Sequence, residues 1–298
     1  IFSLYSLHLS MSVQEDYVIN LGHLPSDLIR LIIALDLNSI DDVKLIAPRW
    51  NALANELIEN RIRCPVIKRV NCFWNIHYDV YEIGLILPSA YRKFFGMLNA
   101  QSSRDHANGW SKVDVSEDSF EFNIDKAQLM SGEGKEIDLL KRVFLRCSSV
   151  EVFHMDMTNC AAELYIKPVK HIIRPLKIEE LVLDGLYYEI EEMAEFVKDN
   201  SVRLLRLTRY GAIFIKRFIR FFIDVAPYLS KIKYGFGRVK MTFDGVRTEE
   251  EQANVWFFWK RAVRWLNETE KLTAKLDEEP VDDNDTKLEI TMERKSDI

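Results

Sequence analysis

The sequence has little of what catalytic and metal sites need. Its four cysteines are scattered and form no CxxC pair, so neither a disulfide framework nor a zinc site is indicated. It contains no GxxxxGK[ST], GxSxG or HExxH motif, and its histidines have no ligand or triad spacing. We therefore expect no catalytic residues, no enzymatic activity, no cofactor and no metal. The thiols are expected to be reduced, in a cytoplasmic or nuclear protein.

Long apolar runs are also missing, and the excess charge is confined to one end. No run reaches the roughly 20 apolar residues that span a bilayer, so no membrane partner is expected. The net charge is −6, and residues 277–298, with nine acidic and three basic side chains, account for all of it. Because that segment has few apolar and no aromatic residues, we predict a disordered acidic tail. Residues 1–19 are predicted to be a flexible N-terminus.

Positive charge is concentrated in one internal segment. Residues 201–240 contain ten lysines and arginines and a single acid, Asp224. No nucleic-acid recognition motif accompanies them, and the whole chain is acidic, so nucleic acid is not an expected partner. The simpler interpretation is a basic face that pairs with the acidic tail or with neighbouring parts of the fold.

Apolar residues are plentiful, at 48% of the chain, and near the N-terminus they are spaced for three short helices. Pro25 suits a first helical turn, Asn38 and Ser39 can cap a second helix over 40–47, and Pro48 should end or kink it. The apolar positions at helical spacing are Leu28, Ile29, Ile32, Ile33, Val43, Leu45, Ile46, Trp50, Leu53, Leu57 and Ile58. About forty residues are too few for a stable core of their own, so these helices need a neighbour.

The same segment resembles an F-box. Leu24-Pro25, the acid and aliphatics of "DLIRLII", and "SIDDVKLIAPRWNALA" match the family's Leu-Pro start, paired aliphatics and closing aliphatic-x-x-x-x-Trp. The close runs from Ile46 to Trp50, and the proline before Arg49 is similar to the large nematode F-box families. We place this box at residues 20–65.

The resemblance implies docking on the Skp-type adaptor of an SCF ubiquitin ligase, and through it on a cullin. The docking residues it implies are Leu24, Pro25, Leu28, Ile29, Ile32, Val43 and Ile46. Trp50 is expected to be buried where the box meets the following segment. The alternative is an ordinary three-helix segment that packs on its own domain.

A degenerate repeat follows the box. Four segments have apolar residues at their first, fourth and sixth positions and begin at residues 150, 178, 202 and 229, so they are 28, 24 and 27 residues apart. This spacing is similar to leucine-rich repeats, in which a short strand turns its apolar residues inward and a helix returns along the outside. The inward residues are Val150, Phe153, Met155, Ile178, Leu181, Leu183, Val202, Leu205, Leu207, Leu229, Ile232 and Tyr234. A plain α/β domain is the alternative.

The predicted architecture is therefore α/β (α+β). A small helical F-box precedes a leucine-rich-repeat-like domain over 66–276, which ends in a helix over 248–276. Within residues 61–135, the segments 66–87 and 113–124 look strand-rich, and 88–98 look helical. The terminal helix begins with a capping box at Thr248 and Glu251, and it has an apolar stripe of Trp256, Trp259, Val263 and Leu266. Prolines interrupt the segment between the first two repeats, and the next two intervals have helical spacing.

The exposed face of the repeat strands is the predicted binding surface for an unknown protein target. Its early strands are acidic and its later ones basic, and the candidate residues are His154, Asp184, Arg206, Lys231 and Lys233. An acidic or phosphorylated target segment would suit the basic end. The function implied is substrate recognition for an SCF-type ligase by a receptor without catalytic activity. The alternative is an interaction scaffold with no role in a ligase.

Overall fold

A computed structural model of the chain describes twelve stretches of residues. They are 21–75, 80–97, 116–156, 166–173, 175–184, 190–208, 221–229, 231–235, 239–240, 260–268, 272–280 and 285–295. The predicted flexible N-terminus over 1–19 lies outside them, as do Trp256, Trp259 and the predicted capping box of the terminal helix.

The N-terminal region folds into three α-helices with 3-10 turns before the first and second. Helix α1 is Ser26–Leu35, α2 is Ile40–Val43 and α3 is Pro48–Glu59. The 3-10 turns are Leu21–His23 and Leu37–Ser39. Three helices are confirmed, but α2 has four residues where eight were predicted, and Pro48 stands at the start of α3. Proline suits that first position because its missing N–H has no helical acceptor there.

Ser39 stands at the N-cap position of α2, as predicted, but its side chain makes no capping bond to that helix. Its hydroxyl donates instead to Asp36 Oδ2 at 2.6 Å, and the Asn38 backbone N–H donates to the other carboxylate oxygen of Asp36 at 3.1 Å. Asp36 therefore caps the 3-10 turn that Leu37, Asn38 and Ser39 form before α2.

Ten strands form one mixed sheet in the described part of the chain. Their order is β3-β2-β1-β4-β5-β6-β7-β10-β8, with β9 also paired to β10. The strands are β1 Val66–Asn75, β2 Val80–Pro88, β3 Glu117–Asp125, β4 Ser149–Asp156, β5 Lys177–Asp184, β6 Leu204–Thr208, β7 Lys231–Gly235, β8 Val239–Lys240, β9 Leu272–Pro280 and β10 Asp285–Arg294. Strands β1, β4, β5, β6 and β7 run parallel, whereas β2, β3 and β8 to β10 pair antiparallel.

The four repeat strands pair in the phase that the sequence alignment gives. Phe153 lies opposite Leu181, Leu181 opposite Leu205, and Leu205 opposite Ile232. Eleven of the twelve predicted inward side chains are buried, and the twelfth, that of Tyr234, lies outside the description. A shared register lets the buried residues stack in rows across the sheet, which is what a repeat of this period requires.

The strand-rich prediction is confirmed for the described parts of 66–87 and 113–124, whereas the predicted helix over 88–98 has only a 3-10 turn, Ser89–Tyr91, among its described residues. β1 is one more parallel strand, placed beside β4, and β2 and β3 extend the sheet beyond it. Two helices, α4 Lys126–Ser131 and α5 Lys135–Leu145, then lead into β4.

Helices also return between the repeat strands. Helix α6 is Ile166–Ile172 and α7 is Ile190–Asp199, and residues 221–225 are helical before β7. The predicted proline interruption in the first interval is only partial, because Pro168 stands in the first turn of α6, where no helical N–H bond is lost. In α7 the buried residues Met193 and Val197 are four apart and face the core.

The predicted disordered tail is wrong. Strands β9 and β10 pair antiparallel over nine residue pairs, and β10 also pairs with β7. The predicted terminal helix is described only over 260–268, and β9 replaces its last residues. Ile290 and Met292 of β10 are fully buried, and they alternate with polar residues in "EITME". That period of two marks a half-buried strand, whereas the average composition of the segment concealed it.

None of the helices in the described residues is long and apolar enough to cross a membrane.

The buried residues of the N-terminal helices and those of the sheet belong to one hydrophobic cluster, which runs from Ile29 to Met292. Part of the apolar surface of the N-terminal helices is therefore covered by the rest of the same chain.

Candidate protein-docking site

Exposed apolar side chains are concentrated in the N-terminal helices. Of the nine large apolar residues that are exposed in the described part of the chain, six lie between residues 21 and 46. These six, called the exposed apolar set below, are Leu21, Leu28, Leu31, Leu35, Leu45 and Ile46. Leu35 is 77% exposed and Leu45 is 85% exposed, so packing within the chain leaves them almost entirely in water. Single exposed apolar residues are common on proteins, but a concentration of them indicates an interaction site.

Helix α1 has apolar residues on two of its sides. Leu28, Leu31 and Leu35 follow at spacings of three and four and share one side, which is exposed. Ile29 and Ile33 share another side and are fully buried. A helix that needs only its own domain has one apolar side, so the second side of α1 calls for a further partner.

The structure separates the predicted docking residues into three groups. Pro25, Leu28 and Ile46 are exposed, whereas Leu24, Ile32 and Val43 are half-buried against the core. Ile29 is wrongly predicted as a docking residue, because it is on the core side of α1 with no exposed surface. Leu31, Leu35 and Leu45 are exposed apolar residues outside the predicted docking set, although the spacing of Leu31 and Leu35 from Leu28 is visible in the sequence.

Trp50 is buried as predicted and holds the start of the box to α3. Its side chain is 2% exposed, and its indole Nε1–H donates to the backbone oxygen of Leu21 at 2.8 Å. A buried indole N–H needs such an acceptor, so this bond fixes the 3-10 turn over α3.

Two surface contacts tie α1 to α3. The Arg30 guanidinium donates to both carboxylate oxygens of Glu56, at 3.2 and 3.0 Å. That hydrogen bond raises the pKa of Arg30 above its ordinary value. Arg49 of α3 donates to the Ser26 hydroxyl at 2.7 Å. These contacts orient α1, which carries three of the six residues of the exposed apolar set, though exposed pairs add little stability.

A buried arginine joins the box to the sheet domain. The Arg146 guanidinium donates to Asp41 Oδ1 at 2.6 Å and Oδ2 at 2.9 Å, and also to the backbone oxygen of Phe94 at 2.6 Å. Its side chain is 7% exposed and its Cζ lies 5.5 Å from the centre of the Phe94 ring. A two-pronged bond of this kind fixes the orientation of α2 on the domain as well as its position.

The charge of Arg146 also sets the ionisation of its partner. The hydrogen bond from Arg146 holds the pKa of the Asp41 carboxyl below its ordinary value of 3.8. A lowered folded-state pKa means that the carboxylate stabilises the fold at pH values above 3.8. That stabilisation is lost as the pH falls through the folded-state pKa.

Asp41→Ala is expected to lower the free energy of unfolding at pH 7 by about 2 kcal/mol, because it leaves Arg146 buried without its anion. The matched control is Asp42→Ala, whose partner Lys93 is exposed, so that change should matter little. Urea unfolding of both variants at pH 7 and pH 3 measures the difference. Equal effects at pH 7, or an Asp41 effect that persists undiminished at pH 3, would show that the ion pair does not hold this joint.

Three of the predicted target-binding residues form contacts across neighbouring strands, two with each other and one with Glu180. His154 Nε2 lies 3.0 Å from Asp184 Oδ2, and Arg206 Nε donates to Glu180 Oε1 at 2.6 Å. Lys233 lies opposite Arg206 in the register, and Lys231 lies opposite Leu204. Glu180 therefore already neutralises the charge of Arg206. This ion pair weakens the prediction that Arg206 binds an anionic target.

The described residues contain neither a cluster that could bind a metal ion nor a cysteine with a lowered pKa. No cluster of histidine, cysteine and acidic residues there could hold a metal ion. Cys64, Cys72 and Cys147 are free and buried. Burial raises the pKa of Cys64 to about 11 and those of Cys72 and Cys147 to about 12, so these three are thiols rather than reactive thiolates at neutral pH.

Comparison with known proteins leaves the family open. No protein-family model matches the chain, and no curated protein matches it. Among solved structures, one match is the crystal structure of Streptococcus pneumoniae Sp1610, a "putative tRNA (m1A22) methyltransferase". It is 9% identical, covers 54% of this chain and 70% of that one, and has a TM-score of 0.22. A TM-score this low does not establish a shared fold.

The absence of enzymatic activity expected from the sequence is withdrawn, since the solved structure matched above is described as a putative methyltransferase. The match is too distant to assign an activity, a substrate or a cofactor to this chain.

Proposed function

We propose that this chain is a substrate receptor of an SCF-type ubiquitin ligase, whose N-terminal helices dock on a Skp-type adaptor and through it on a cullin. One observation carries the proposal. The segment that resembles an F-box holds six of the nine exposed large apolar side chains found among the described residues. A second protein that covers them would remove from water the surface that the chain itself leaves uncovered.

The way in which the box is held also favours docking. Ile29, Ile33, Trp50 and Leu57 bury its inner side, and the Arg146–Asp41 bond fixes it on the sheet domain. The exposed apolar set is thus presented from a rigid base, so little ordering of the chain is needed when a partner binds.

The sheet is the proposed target-binding module. The parallel strands place His154, Val182 and Arg206 in one half-buried row across the sheet, with Lys233 at the next register position. A row of this kind on an open sheet resembles the binding face of leucine-rich-repeat proteins. A receptor that holds a target here and an adaptor at the box raises the local concentration of target lysines near the ligase.

Co-expression with a Skp-type adaptor tests the proposal. We expect the two chains to elute together as a one-to-one complex in size-exclusion chromatography, and the complex to recruit a cullin when one is added. An adaptor that elutes alone would refute the ligase role. Adaptor binding without cullin recruitment would favour the alternative, a scaffold outside any ligase.

A further inference from the structure

A basic pocket lies between the box and the helices that precede and follow β4. It has a volume of about 530 Å³ and is bounded by α3, by α5 and its C-terminal cap Arg146, and by α6. Its positively charged lining residues are Lys44, Lys141, Arg142 and Arg146. None of its lining residues belongs to the exposed apolar set or to the strand residues proposed for the target, although Lys44 directly precedes Leu45.

The charges at this pocket do not balance. Four lysines and arginines line it, and Glu59 is the acid among its lining residues. Asp41 neutralises a second charge by pairing with Arg146. About two positive charges are therefore left over, in a chain whose net charge is −6. The fold therefore concentrates positive charge at this pocket, although the chain as a whole is acidic.

Two of the four cations are already occupied by the chain. Arg146 is held by Asp41 and the Phe94 carbonyl, and the Lys141 ammonium donates to the Gly132 carbonyl at 2.6 Å. Lys44 has a looser contact, 3.6 Å from Asp41 Oδ1. The Arg142 guanidinium makes no hydrogen bond or ion pair with any residue that the structure describes. Arg142 and Lys44 thus retain donors for a ligand.

The neighbouring positive charges affect the pKa of Lys44. Burial and the neighbouring charge of Arg146 lower its pKa below the ordinary value, with a smaller contribution from Arg142. A bound anion would offset the mutual repulsion of these three groups, which is a gain that an isolated surface lysine does not offer.

We propose that this pocket binds a small anion that carries two or more phosphate groups. Its volume is within the range of small-molecule sites, about 300–1,000 Å³. Guanidinium groups match the geometry of phosphate oxygens, and ammonium groups supply further charge. The ligand would bridge Lys44 beside α2 to Arg142 on α5, and would thereby strengthen the joint between the box and the sheet domain.

Titration calorimetry of the full chain with pyrophosphate, at an ionic strength of about 0.15 M where distant charges are screened, tests the proposal. We expect saturable one-to-one binding that is tighter than the binding of sulfate under the same conditions. Arg142→Gln should weaken it by about tenfold or more, the loss typical of one charge-assisted hydrogen bond. Arg142 is exposed and packs beside Gly96, and its guanidinium bonds to none of the residues that the structure describes, so this variant should fold normally.

The matched control is Lys135→Gln, which removes one positive charge from the exposed start of the same helix, outside the pocket. It should leave pyrophosphate affinity unchanged within twofold. Lys44→Gln is the second variant and should weaken binding. Absence of pyrophosphate binding, equal affinity for sulfate, or equal losses in Arg142→Gln and Lys135→Gln would each overturn the proposal.

Discussion

Trp50→Ala is expected to lower the free energy of unfolding by about 3–5 kcal/mol, the usual cost of removing a buried large aromatic ring. Trp50 is among the largest fully buried side chains of the described residues, and its indole holds the Leu21 carbonyl. The loss therefore combines a cavity in the box with the loss of the hydrogen bond that holds its first turn. Urea unfolding followed by circular dichroism measures it.

Trp50→Phe is the control that separates the two contributions. Phenylalanine retains most of the ring but has no N–H, so the loss should be smaller, about 1–2 kcal/mol for the bond and the missing volume together. A change of only about 0.5 kcal/mol in Trp50→Ala, as for a surface substitution, would show that α3 does not pack as described.

The second large effect concerns adaptor binding. Leu28→Asp combined with Leu31→Asp should weaken the affinity for a Skp-type adaptor by at least about a hundredfold, because it would bury two charges in an apolar interface. Both residues are exposed, so the substitution should spare the fold. Ile32 is a poorer choice, because it packs partly against the core and its loss would also affect stability.

Ile62→Asp combined with Met130→Asp is the matched control. These residues are also large, apolar and exposed, but Ile62 follows α3 and Met130 lies in α4, outside the exposed apolar set. Calorimetry against the adaptor should find the control equal to the unmodified chain. Equal affinities for the two double variants, with circular dichroism showing both folded, would remove the exposed side of α1 from the docking site.

The strand repeat could be predicted from the sequence because its signal is local. Each strand carries its own apolar positions, and aligning the strands by those positions gives the register seen between Phe153, Leu181 and Leu205. The two-residue alternation around Ile290 was an equally local signal for β10. It was overlooked because composition was averaged over a segment rich in acidic residues.

Other features depend on partners that a pattern does not contain. Helical spacing groups Ile29 with Ile33 and Leu28 with Leu31, but it does not say which side of α1 faces the core. The Arg146–Asp41 bond joins residues 105 positions apart, and the basic pocket exists only because α3, α5 and α6 meet. Contacts between residues so far apart in the sequence can be identified only once the three-dimensional structure is known.

Hydrogen exchange of the full chain, with and without an equimolar Skp-type adaptor, tests the central claim most directly. We predict slower exchange for the backbone amides of residues 21–46, which carry the exposed apolar set, and unchanged exchange for strands β4 to β6. Unchanged exchange over 21–46 at saturating adaptor, or protection confined to the sheet, would contradict the account of how this surface is covered.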